Sequence, residues 1–162
     1  MTGRDWSTRR ATIGALLLTV VLATSPRATE AGMPEVIQLE SVYPFPDTVE
    51  KLCSSLEGRG FTVFAVLDQR EAARSVGLDM PPTTLIVYGN PRGGTPLMIA
   101  APDFAIELPL KVLVREDGEG RVLVVYIPAS SLEGRHGLPA GLAVRLGGAE
   151  PLIAAAIGAT SN

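Results

Sequence analysis

Apolar residues recur along this chain with two different spacings, and the change from one to the other marks out the elements. Val36, Ile37, Leu39, Val42 and Tyr43 predict a first strand over Val36–Tyr43, stopped by Pro44 and Pro46. Val49, Leu52, Cys53 and Leu56 then fall at i, i+3, i+4 and i+7, the stripe of a helix with one buried face. Asp47 with Glu50 three residues later reads as a capping-box start for that helix, and Gly58 and Gly60 end it. Phe61–Leu67 resumes as a second strand, after which Asp68 is placed to cap a short helix over Gln69–Val76. Ala72, Ala73 and Val76 give that helix a thin apolar face, closed by Gly77.

The middle of the chain carries a third strand, Thr83–Tyr88, ending at a Gly89-Asn90-Pro91 corner. Thr95 and Pro96 read as the N-cap and first turn of a short helix over Leu97–Ala101, stopped by Pro102. Leu108–Arg115 and Arg121–Ile127 are strands four and five, and the turn-rich Glu116–Gly120 between them predicts an antiparallel hairpin. Ala129–Arg135 is expected to form one or two helical turns before His136-Gly137, and Leu152, Ile153 and Ile157 mark a closing helix within Ala149–Ala159. This order predicts an α+β fold with a mainly antiparallel sheet and helices packed on one face. Strands four and five are apolar at nearly every position, so part of the other face is expected to be covered by loops or by a second subunit.

The N-terminus is set apart by its pattern. Arg4, Arg9 and Arg10 precede an uncharged, mostly apolar run of 13 residues, Ala11–Ala23, which Ser25-Pro26 breaks. That is the plan of a secretory signal peptide over residues 1–31, with small residues at Thr29 and Ala31, or at Val21 and Ala23, suited to cleavage. The run is shorter than the ~20 residues of a spanning helix, and Arg9-Arg10 also allows a twin-arginine route. The expectation is a single domain over residues 32–162, exported to the periplasm or the cell exterior without a stable membrane span.

Charge narrows the partners. The whole chain carries a net charge of −3, and residues 32–162 keep 10 basic and 15 acidic side chains, a net charge of −5. No concentrated basic footprint marks a nucleic-acid binder, and the same balance disfavours an anionic membrane surface. Cys53, the single cysteine, has no internal disulfide partner and is a core residue, a free thiol or half of an intermolecular bridge.

Three groups of residues bear candidate chemistry. Asn90, Arg92, Gly93, Gly94 and Thr95 sit where free backbone N–H groups and a helix start would cradle an anion, although the Gly-Lys-Ser/Thr ending of a P-loop is missing. The competing explanation is that glycine and asparagine supply the backbone angles of a tight corner. Asp103 and Glu107, four apart, would share one side of a helical turn, and with His136 they would form a metal or acid–base set. On the other reading Asp103 caps a helix, Glu107 is solvated, and His136 partners a helix C-terminus. Met98 with Leu97, Phe104 and Tyr88 would line an apolar ligand pocket or belong to the core. Tyr43, Tyr88 and Tyr126 place phenols at strand ends, and no residue set identifies a cofactor.

Several phrases together resemble the DUF302 family, also called TT1751-like: Phe61–Phe64, Asp68, Gly77-Leu78, Thr84–Pro91, Gly94–Met98, Leu108–Val114 and Tyr126. The similarity runs from about Val36 to Leu138. It implies a TBP-like β-α-β4-α fold, frequently dimeric, with no established biochemical activity and no catalytic residues to carry over. Gln69 stands where the family often has histidine, Glu107 where aspartate is usual, and Ile127 where asparagine is common. The expected function is therefore an exported, non-enzymatic module, a homodimer, that binds a small molecule or a protein. The alternatives are a metal-binding or hydrolytic enzyme using Asp103, Glu107 and His136, and a structural subunit of an envelope complex.

Overall fold

Five strands make one sheet: β1 (Ile37–Glu40), β2 (Thr62–Asp68), β3 (Thr83–Gly89), β4 (Leu110–Glu116) and β5 (Val122–Tyr126). Their order is β1-β5-β4-β3-β2, and every neighbouring pair is antiparallel. The computed structural model describes residues 36–159, so the signal peptide expected over residues 1–31 lies outside the described residues. The fold is α+β, with the β4–β5 hairpin in the register Glu116↔Val122 to Val112↔Tyr126.

Because β1 and β2 occupy opposite edges, the helix joining them, α1 (Phe45–Glu57), has to cross one face of the sheet. It does so beside α4 (Glu150–Ala156), and Leu52 and Leu56 of α1 meet Ile153 and the adjoining Ile157 over Ile86, Val112, Val114 and Val124. β3 shows why this face is chosen: Thr84, Ile86 and Tyr88 are buried while the residues between them are half-exposed, the period of two that a one-sided sheet requires. A second cluster adjoins the first through Leu110, which packs against both. Leu97, Phe104, Ala129, Leu132, Leu138, Ala143 and Leu146 gather α3 (Pro91–Ala100) with the 3-10 turns Pro102–Glu107, Ala129–Leu132 and Ala143–Ala149.

Several boundaries differ from the sequence expectation, each for a local reason. α1 starts at Phe45 behind Pro44 rather than at an Asp47 capping box, and no side chain caps it. Pro46 sits in its first turn, where a missing N–H costs no helical bond. Thr48, unremarked in the sequence pattern, is fully buried, with its hydroxyl 2.7 Å from Ser41 Oγ and 3.0 Å from the Pro44 carbonyl oxygen. Cys53 is half-buried on the α1 stripe, and burial, with the charge of Glu57 second, pushes its thiol pKa up, so the reactive thiolate is disfavoured.

α2 (Gln69–Ser75) does start at Asp68, whose carboxylate accepts the Glu71 N–H at 2.9 Å. No residue of its expected apolar face is fully buried, and Val76 is 72% exposed. α3 begins one turn before the predicted Thr95 cap. Asn90 is its N-cap and Pro91 its first residue, which leaves Pro96 inside the helix.

A pocket between the sheet end and the second cluster

The earlier start of α3 reassigns the glycine segment. The Arg92 N–H donates to Asn90 Oδ1 at 3.0 Å, and the Gly93 and Gly94 N–H groups donate to the Asn90 carbonyl oxygen at 2.9 and 2.8 Å. Pro91 has no N–H, so the backbone donors expected to cradle an anion are already used inside the helix. Left-handed backbone does not explain these glycines either, because Gly89, Gly93 and Gly94 are not among those with positive φ. Close approach explains two of them. A Cβ on Gly89 would lie 3.3 Å from the Phe64 ring, and one on Gly94 would lie 3.2 Å from Leu108 Cδ1.

Those contacts are the walls of a pocket of about 300 Å³. Asn90, Gly93, Gly94 and Thr95, four of the predicted ligand residues, line it, whereas Arg92 does not. Met98 also lines it, but Leu97 and Phe104 are packed into the second cluster and Tyr88 into the first. Opposite α3 stand Phe61 and Phe64, at the start of β2. Phe61 is held edge-on to Tyr88, ring centroids 6.0 Å apart. Phe64 is the extra residue of a β-bulge: Val63 pairs with Tyr88 and Ala65 with Val87, so Phe64 has no partner in the ladder. Such an insertion redirects a side chain, and here it brings the ring over Gly89, where the absent Cβ leaves room. Leu108 and Leu110 close the floor, and the segment between α3 and β4 contains a cis Leu108–Pro109 peptide.

The remaining wall, Arg145 and Leu146, comes from the 3-10 turn Ala143–Ala149. Glu133 ties this region down, its carboxylate accepting the Gly141 N–H at 2.9 Å and the Val144 N–H at 3.1 Å. Leu146 is buried in the second cluster, which leaves Arg145 at the pocket with an exposed side chain. Sequence reasoning missed this residue. Its only signal was position, as the single cation of the glycine- and alanine-rich tail after His136.

The predicted acid–base set is brought together in part. Glu107 Oε1 lies 2.9 Å from His136 Nε2 and 3.3 Å from Arg135 Nη1, at the surface and outside the pocket. Partial burial alone would raise the Glu107 carboxyl, but hydrogen bonds to His136 and Arg135 and their charges outweigh it and hold the pKa below its ordinary value. Asp103 is exposed and takes no part, and no group of three or more metal-ligating side chains occurs among the described residues. The His136 ring is on Glu107, and its backbone, at φ 50°, is in the left-handed region between Gly134 and Gly137, which also have positive φ. Of the phenols, burial pushes Tyr88 and Tyr126 up, with Glu150 adding to both.

A solved structure shares this architecture. A crystal structure of an uncharacterized conserved DUF302 protein from Bacillus stearothermophilus superposes with a TM-score of 0.65 at 22% identity, covering 76% of this chain and 95% of that one. Fluoride-specific ion channel FluC 1 of Brucella suis is 34% identical over 103 residues, 64% of this chain and 41% of that protein. FluC 2 of Brucella melitensis is 34% identical over the same length, 38% of it. The chain thus spans about two fifths of the length of these curated relatives. Among the described residues no helix is long and apolar enough to cross a membrane. The model of the domain of unknown function DUF302 matches residues 37–154, most of the chain, and the protein belongs to that family.

Proposed function

We propose that this protein is an exported, non-enzymatic binding module that takes a small apolar molecule into the pocket between β2, α3 and the Ala143–Ala149 turn. The observation that carries the reading is the pocket itself. It has the size of a small-ligand site, mostly apolar walls, and a few polar groups (Asn90, Thr95, Arg145) set among them. Phe64 held by a bulge and glycines at 89 and 94 give those walls their shape without a side chain filling the space. Fluoride conduction is not carried over, since the match covers about two fifths of the channel proteins.

Decanol, a neutral apolar probe, is expected to shift the Met98 methyl resonance saturably, and Met98→Trp, which fills the space, is expected to abolish binding measured by calorimetry. A Met98 signal unmoved by decanol would sink the proposal. Export is proposed from the pattern of residues 1–31 and is checked by locating the processed chain in cell fractions.

A second reading rests on a separate observation, the uncovered sheet face. Leu67, Leu85, Leu113 and Val125 pair in one row across β2, β3, β4 and β5, on the side opposite α1 and α4. Such a row is the kind of surface that a second copy covers. It supports a homodimer, with an envelope partner protein as the alternative occupant.

A further inference from the structure

Resting on the pocket reading above, we infer that the ligand is an amphipathic monocarboxylate, its hydrocarbon tail among Phe61, Phe64, Met98 and Leu110 and its carboxylate at Arg145. The tail side follows from the walls, which offer aromatic rings, a methionine and leucines. The head side follows from an inventory of donors. Arg145 lines the pocket, is exposed, and makes no ion pair or side-chain hydrogen bond among the described residues. Its planar fork of N–H donors matches the two oxygens of a carboxylate. Asn90 Oδ1 accepts the Arg92 N–H, which leaves its amide nitrogen as the side chain's uncommitted donor, and Thr95 lines the same pocket.

The same inventory selects the charge of the head. The first-turn amides of α3 are occupied by Asn90, so no backbone nest adds to the one guanidinium. Residues 32–162 carry a net charge of −5. One cation on an acidic protein balances a monoanion, whereas a phosphate dianion would call for further cations that the pocket wall does not hold. A cavity of about 300 Å³ suits a medium-length chain rather than a long one.

Decanoate, decanol and decylamine separate the possibilities when titrated by calorimetry into the full chain. The expected order is decanoate about fivefold tighter than decanol, the scale of one solvent-exposed charge pair, with decylamine weakest. Arg145→Gln should abolish the preference for decanoate over decanol when the two are compared in the same variant. Arg145→Lys should restore part of the difference, and added salt should diminish it. Decanol binding as tightly as decanoate, or an Arg145→Gln variant that keeps the preference, would overturn the carboxylate assignment while leaving the pocket reading in place. Failure of all three probes to bind would overturn both.

Discussion

At the scale of single residues, two adjacent glycines of α3 make opposite demands. Gly93 has open space around it and Gly94 faces Leu108. Gly93→Ala is therefore expected to stabilise the fold by about 0.5 kcal/mol through lower unfolded-state entropy. Gly94→Ala should lose that gain and more, by about 1 kcal/mol of crowding, and should shift the Leu108 wall. Paired urea titrations of the two variants test this, and equal stabilities would show that Leu108 yields freely. Glu107 gives a pH-dependent case. Its folded-state pKa lies below the ordinary 4.5, so its stabilising contribution is present above that value and is lost as pH falls through the folded-state value. Glu107→Gln should cost about 1 kcal/mol near neutral pH, and the gap from wild type should close in acid. A gap independent of pH would contradict the pairing of the Glu107 carboxylate with Arg135 and His136.

At the scale of elements, turns and caps that rest on neighbours in sequence were readable. The β4–β5 hairpin is one. Asp117, whose carboxylate accepts the Glu119 and Arg121 N–H groups and pairs with the Arg121 guanidinium at 2.8 Å, organises it within five residues of chain. Asp68 capping α2 is another. The start of α1 was misread because its polar anchor is not a capping box but a knot of Ser41, Thr48 and backbone oxygens, joining β1 to the helix seven residues on. Thr48→Val keeps the shape and removes the hydroxyl that lies 2.7 Å from Ser41 Oγ at a buried site, leaving Ser41 with the Tyr43 N–H as its remaining partner, so a loss of about 1–2 kcal/mol is expected. Ser41→Ala combined with Thr48→Val should recover part of it, and a full additive loss in the double variant would argue against the coupling.

At the scale of the whole molecule, the two apolar clusters divide the work. The first holds α1 and α4 on the sheet, and the second holds α3 and the 3-10 turns that complete the pocket. The opposite sheet face is left with its row of Leu67, Leu85, Leu113 and Val125. Leu113→Glu, a charge placed in the middle of that row, should convert a dimer to monomer in light scattering after size exclusion, with the pocket still able to bind decanol. A wild-type chain that elutes as a monomer across the accessible concentration range would remove the dimer reading.

The sequence by itself determined the strands, α1, the hairpin and the α+β class, because each is written in a local period or a local turn. It also singled out the segment Asn90–Thr95, of which Asn90, Gly93, Gly94 and Thr95 line the pocket. Whether that segment offers free N–H groups or an apolar wall was decided only by tertiary structure. An anion cradle and an apolar wall look alike in sequence, and the difference is whether three N–H groups are consumed by Asn90. Phe64, Leu108 and Arg145 reach the same cavity from three separate segments. No periodicity links them, since what joins them is a bulge in β2, the room left by two missing Cβ atoms, and a second core that fixes a turn 52 residues after α3 begins.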